Sequence, residues 1–292
     1  MSLVAVLVQL VGVTALMIVV ATTLLVGRER LSRTREQYRD RIRSIVPYVG
    51  LLAVVLVANK IARDIGPQVS WIFGLRITGY LHWIDGRLLW FLDQQSPPQV
   101  IEFLQAYSTP ELTAYFSFIY VYGYVFLLVF PLIAYFALER PQPLRRTIVA
   151  YSANYIIGVT CYVIFVALGP RNLEVGEGLL YTTYPQYQFL TTAINANTNV
   201  FPSLHTSLAV TAALLAWTTR NEYPLWTPLA VVLAGSVVIA TMYLGIHWAA
   251  DVFAGVILAA VSVRLGQRYE DQPPEFTWVR QRLSRVIPAR AR

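Results

Sequence analysis

Three short segments of the 292-residue chain carry residue types that phosphorus chemistry needs. The first is Asn199-Val200-Phe201-Pro202-Ser203-Leu204-His205, at the start of an apolar run. A proline is tolerated in a first helical turn, and Ser203 is expected to cap it with its hydroxyl and N–H facing outward. Free N–H groups and the helix dipole would make this start an anion cradle. The second segment is Tyr243-Leu244-Gly245-Ile246-His247-Trp248-Ala249-Ala250-Asp251. If a helix begins near His247, the four-residue spacing sets His247 and Asp251 on one face. The carboxylate would then accept the proton on one ring nitrogen and leave the other as nucleophile or base. The third is Gly169-Pro170-Arg171, whose guanidinium suits a bidentate contact to phosphate. Taken singly, a histidine in a helix is more often a packed residue, and an arginine at a helix end more often an interfacial anchor. Together they supply what a phosphoryl centre requires: cationic and N–H groups for the equatorial oxygens, a nucleophile, and an acid for the leaving group.

The elements that must position these residues are membrane helices. Hydrophobic residues make up 56% of the chain, charged residues 13%, and the mean hydropathy is +0.52, far more apolar than a soluble domain. A bilayer core of about 30 Å needs roughly 20 apolar residues as a helix. Seven runs approach that length, near 2–26, 44–62, 112–138, 148–168, 201–219, 226–246 and 248–265. The expected fold is therefore an all-α polytopic bundle of about seven transmembrane helices. The first run has no preceding Arg or Lys and is too long for a signal-peptide core, so it reads as a retained anchor. The single cysteine, Cys161, excludes a disulfide within the chain.

Charge placement orients the bundle. Arg28, Arg30, Arg33, Arg35, Arg39, Arg41 and Arg43 follow the first run, and the positive-inside rule places them in the cytoplasm and the N-terminus outside. Counting helices from there puts Arg140, Arg145, Arg146, Arg220 and the basic C-terminal tail on the same side. The three chemical segments then open together on the outer face. The stretch 71–92, aromatic but broken by Arg76, His82, Asp85 and Arg87, reads as an interfacial or re-entrant helix there. His82, Lys60 and Arg63 read as interfacial residues. The tail from Asp271 is polar, with Pro273, Pro274 and Pro288, and reads as loosely ordered or resting on anionic headgroups. The chain thus divides into an anchor and basic loop (1–43), a membrane catalytic unit (44–268) and a basic tail (269–292).

Pro202-Ser203-Leu204-His205, with Tyr243-Leu244-Gly245-Ile246-His247 and Asp251, resembles the second and third motifs of the type 2 phosphatidic acid phosphatase (PAP2) superfamily. The resemblance runs from about Arg171 to Gly255. It implies that His247 attacks phosphorus to form a phosphohistidine, Asp251 orients it, His205 protonates the leaving oxygen, and Ser203 and Arg171 hold phosphate oxygens. There are departures: Leu204 stands where glycine is usual, Ala240 and Thr241 replace the Ser-Arg pair, and Pro170-Arg171 reverses the usual order with no matching lysine upstream. Pro-Ser-Leu-His without the third-motif arginine is similar to the inositol phosphorylceramide synthase branch, whose members transfer a phosphoryl-alcohol head group between lipids. The implied substrate is a membrane lipid phosphate, with no cofactor, no metal and no nucleic-acid partner.

Other readings remain open. Intramembrane charges also mark transporters and channels, although here they sit at helix ends rather than at the midplane. A retinal protein is disfavoured because the single lysine, Lys60, lies in the second run. A metal hydrolase using His205, His247 and Asp251 is conceivable, but the four-residue spacing serves orientation equally well. The oligomeric state is not legible.

Overall fold

The computed structural model describes residues 3–188 and 200–272, the side chain at position 67 excepted. Asn199 of the first segment and the tail from residue 273 lie outside the described residues. The elements are α1 (Leu3–Ala21), α2 (Arg28–Glu36), α3 (Tyr38–Phe73), β1 (Leu75–Arg76), α4 (Thr78–Leu88), α5 (Val100–Gln105), α6 (Pro110–Phe118), α7 (Tyr124–Phe136), α8 (Gln142–Ile164), β2 (Phe165–Val166), α9 (Leu179–Thr183), α10 (Leu204–Thr218), α11 (Trp226–Tyr243) and α12 (Ala249–Tyr269). A π turn at Thr22–Val26 extends α1, and another at Ile119–Gly123 joins α6 to α7.

The protein is an all-α polytopic membrane bundle. Among the described residues, six helical spans, 3–26, 38–66, 110–136, 142–164, 226–243 and 249–269, are long and apolar enough to cross a bilayer. The remaining expected run, 201–219, folds as α10, which is only 15 residues long. Its shortness has a local cause: Ser203 caps the helix by accepting the N–H of Thr206, so Phe201 and Pro202 stay outside it. The expected proline in the first turn is thus corrected to a proline before the cap. α10 is surrounded by α7, α8, α11 and α12, and Leu208, Ala209, Ala212, Leu215 and Ala216 are buried along it. A helix packed against four others along most of its length, with only Leu214 and Trp217 exposed among its large apolar side chains, need not match the bilayer thickness.

Small and polar residues join the helices, as expected where lipid is as apolar as the core. Between α8 and α10, Asn154 donates to Thr211 Oγ1 at 3.0 Å and accepts from Ser207 Oγ, all three fully buried. Leu204 fills a hole over Gly158 of α8: a Cβ there would come within 2.5 Å of Leu204 Cδ2. The leucine in place of the usual glycine is therefore matched by a glycine across the interface.

The arginine-rich segments gather at one end of the bundle. Arg30 binds Glu222 at 3.0 Å, Arg33 binds Glu139 at 2.7 Å, and Arg146 grips Glu270 at 2.5 and 2.9 Å. Arg41 donates to the carbonyls of Phe136 and Leu138 at the end of α7. α3 is longer than its apolar run, reaching Phe73, and within it Lys60 and Asp64 pair across one turn at 2.6 Å. Trp71 to Phe73 therefore belong to α3, and only Thr78–Leu88 forms the separate short helix expected for 71–92. β1 and β2 pair in parallel, Leu75 with Phe165 and Arg76 with Val166, tying α4 to the end of α8.

Candidate active site

His247 sits in a turn built around Gly245. The carbonyl of Thr241 accepts the N–H groups of Ile246 and His247, both at 3.0 Å, so the chain doubles back at the end of α11. Gly245 has φ +77°, a conformation L side chains rarely adopt, and a Cβ there would meet the carbonyl of Glu177 at 2.5 Å. The side chain of Thr241 bonds back to Val238 O at 2.8 Å and is fully buried. No cation projects from the position where the superfamily's arginine would stand.

The helix carrying Asp251 begins later than expected. Trp248 is the N-cap and Asp251 the third helical residue, whose Oδ2 reaches back to the Trp248 N–H at 2.9 Å. His247 therefore precedes the helix, which corrects the expectation of two residues on one helical face. The capping turn still brings them together: His247 Nδ1 lies 3.5 Å from Asp251 Oδ2. That is ion-pair distance without a formed hydrogen bond, since Nδ1 and Asp251 Oδ1 have no partner among the described residues. Hydrogen bonds of this kind are often long before substrate binds. His247 is 3% exposed and Asp251 fully buried. Burial pushes the His247 imidazole down to about 3, the charge of Arg171 adds to this, and the backbone of Val200 opposes it.

Ser203 departs from its expected orientation. It is fully buried; its N–H donates to the carbonyl of Asp251 at 3.1 Å and its hydroxyl bonds Thr206 Oγ1 at 3.0 Å. Neither group faces outward: the N–H ties the start of α10 to α12, and the hydroxyl is turned onto the first turn of α10. His205, one residue into α10, does reach the site, its ring 6.1 Å from that of His247. Two tyrosines hold it: Tyr120 from the π turn stacks on it at 4.7 Å, and Tyr124 lies at 4.7 Å on another side. A π turn adds a residue to a helix and redirects its side chains, which sets both rings against one imidazole.

Arg171, in a 3₁₀ turn at 170–173, joins the same cluster. Its guanidinium lies 4.7 Å over the Tyr181 ring, and its buried Nη1 has no hydrogen-bond partner among the described residues. A buried guanidinium N–H left unpaired is costly unless an anion completes it. Trp248 Nε1 donates to Leu168 O at 2.8 Å, locking the arginine-bearing turn to the histidine-bearing one. Three segments distant in sequence thus meet at one end of the bundle, opposite the arginine clusters. At that other end a cavity of about 690 Å³ is lined by Arg30, Arg146, Glu222 and Glu270, with no histidine.

Besides Tyr120 and Tyr124, further residues around the site escaped the sequence reading. Asp85 of α4, 1% exposed, accepts the N–H of Ala249 at 2.7 Å and of Val100 at 2.9 Å, thereby capping both α12 and α5. Burial raises its carboxyl above the ordinary range, partly offset by these two N–H groups. An aspartate within an aromatic stretch was the available signal. Arg63, read as interfacial, is half-buried with its guanidinium 5.5 Å over the Tyr162 ring. His82 stands edge-on to Trp248 at 5.6 Å, packing rather than reacting.

No curated protein and no solved structure matches the chain. The family model described as the PAP2 superfamily matches residues 88–265, a stretch that includes His205, His247, Asp251 and Arg171. By that match, covering more than half of its length, the chain belongs to the PAP2 superfamily and is an integral membrane enzyme of phosphatase type.

Proposed function

We propose that the protein is a lipid phosphatase or phosphotransferase working through a phosphohistidine on His247. The observation that carries this reading is the meeting of His247, Asp251, His205 and Arg171 in one buried cluster with unpaired polar atoms on three of them. Asp251 orients Nδ1 of His247, so Nε2 attacks phosphorus and the bond from phosphorus to the lipid-side oxygen breaks. His205 gives its proton to that oxygen. A bound phosphate anion supplies the negative charge that favours a protonated His205. The acceptor's hydroxyl oxygen then attacks phosphorus, giving its proton to His205, and the P–N bond breaks to free His247. Arg171 holds the equatorial oxygens as charge builds on them.

Ser203 supports the site by joining α10 to α12; contact with phosphate would require its hydroxyl to leave Thr206. The leucine at position 204 and the threonine at 241 favour transfer of a phosphoryl-alcohol head group over simple monoester hydrolysis. A diester phosphate carries one negative charge fewer than a monoester and needs fewer cations. The arginine-rich end is assigned to the cytoplasm and the site to the extracytoplasmic face by the positive-inside rule.

The test is to incubate purified protein with labelled phospholipid donors, with and without polyol or lipid alcohol acceptors, and identify the products. Release of phosphate or of a phosphoryl-alcohol to the acceptor supports the reading. A protein that leaves every phosphoester intact yet moves a labelled solute across vesicles is a transporter instead.

A further inference from the structure

We infer that Arg63, on α3 and outside the stretch shared with the family, supplies the second cation that binds the reacting phosphate, in place of the arginine absent at Thr241. The inference rests on the phosphoryl-transfer reading above. Thr241 is fully buried with its hydroxyl turned onto Val238 O, so no positive group enters from α11. Arg171 approaches from the His247 side, stacked over Tyr181 and acting electrostatically on His247 and Tyr120. Arg63 comes from α3, a different element. Its guanidinium lies over Tyr162, whose hydroxyl donates to Pro202 O at 3.2 Å, one residue before Ser203. Its charge acts on His205, Tyr120, Tyr124 and Tyr162. Tyr120, stacked on His205, lies within reach of both guanidinium charges.

Two cations on different elements therefore act on the histidine pair, Arg171 on His247 and Arg63 on His205. Within this group the carboxylate is Asp251, which already accepts the Trp248 N–H and faces His247. A partly buried cluster with two guanidiniums and, among the described residues, one engaged carboxylate favours an anion between them. Lys60, the other cation of this part of α3, is two-thirds exposed and engages both oxygens of Asp64 at 2.6 and 2.8 Å. Arg63 is instead turned inward by its Nε contact to Asn59 Oδ1 at 3.3 Å and by the Tyr162 ring. The planar fork of an arginine also suits two phosphate oxygens, which an ammonium does not.

The experiment compares parent, Arg63→Gln, Arg63→Lys, Lys60→Gln and His247→Ala in donor turnover and in inhibition by vanadate, with thermal melting of each. Loss of one charge-assisted contact to the transferring group predicts about a 10- to 100-fold weaker vanadate inhibition and a similar loss of kcat/KM in Arg63→Gln. Arg63→Lys should recover part of both, and Lys60→Gln should match the parent. Should Arg63→Gln fail to fold, Arg63→Lys carries the test, since a point charge without the fork should weaken vanadate several-fold. Vanadate inhibition equal to the parent in the folded Arg63 variants, with His247→Ala inactive, overturns the role of Arg63 alone. Parent-like turnover in His247→Ala overturns the reading on which it rests.

Discussion

The backbone N–H of Ser203 donates to the carbonyl of Asp251 at 3.1 Å, so the helix start that presents His205 is fastened to the helix that presents the carboxylate beside His247. The two motifs are one mechanical unit, and a Cβ on Gly255 would strike Ser203 O at 2.6 Å.

Ser203→Ala removes the N-cap oxygen and should destabilise the protein by about 1 kcal/mol. With the hydroxyl already bonded to Thr206, KM for the donor should stay within about threefold of the parent, smaller than the loss of any phosphate contact. A KM increase beyond tenfold without a change in melting temperature would show that the hydroxyl leaves Thr206 and binds phosphate.

Asp85→Ala should orphan the N–H groups of Ala249 and Val100, at about 1–3 kcal/mol each if they stay buried. Asp85→Asn keeps one acceptor oxygen and should fall between that variant and the parent. Melting temperatures in detergent check this ordering, and equal stability of all three would show that water replaces the carboxylate.

Gly158→Ala should clash with Leu204 and cost about 1–3 kcal/mol as overpacking. Adding Leu204→Ala should relieve the clash, so that the double variant is more stable than the sum of the two single losses. Simple additivity in thermal or denaturant unfolding would contradict the packing described between α8 and α10.

The His247 imidazole is held near 3 in the folded protein, against about 6.5 in an unfolded chain. Between these values the unfolded chain binds more protons, so this group makes stability rise with pH from about 3 to about 6.5 and level off above. His247→Gln should flatten that part of the profile. A stability profile identical to the parent's over this window would show that His247 titrates normally. The same depression keeps the imidazole neutral, and so nucleophilic, at neutral pH.

The sequence exposes some of this architecture better than the rest. The apolar runs are visible because each must fill a bilayer, and the arginine clusters because they mark helix ends; the contacts of Arg30 with Glu222 and Arg146 with Glu270 gather those ends together. The pairing of His247 with Asp251 was legible from spacing, although its mechanism is a cap rather than a helical face, since spacing alone does not locate the first helical residue. The burial of Ser203 was not legible: a local cap and an interhelical bond to Asp251 look alike in sequence. Tyr120 and Tyr124 reach His205, and Asp85 the start of α12, only through packing between elements far apart in the chain, which leaves no periodic trace.

The central claim is that His247 carries the phosphoryl group, and trapping that covalent adduct tests it most directly. Parent, His247→Ala, His205→Ala and Asp251→Asn are each quenched during turnover of a phosphorus-labelled lipid donor and of a labelled activated aryl ester, and acid-labile phosphohistidine is counted. The account predicts label in the parent with both donors and none in His247→Ala. It predicts label in His205→Ala with the aryl ester, whose leaving group needs no proton, and little with the lipid. Asp251→Asn should give an intermediate yield, because the ring is misoriented but present. Label in His247→Ala, or aryl-ester turnover there near the parent's rate, would make His247 a structural histidine and contradict the mechanism.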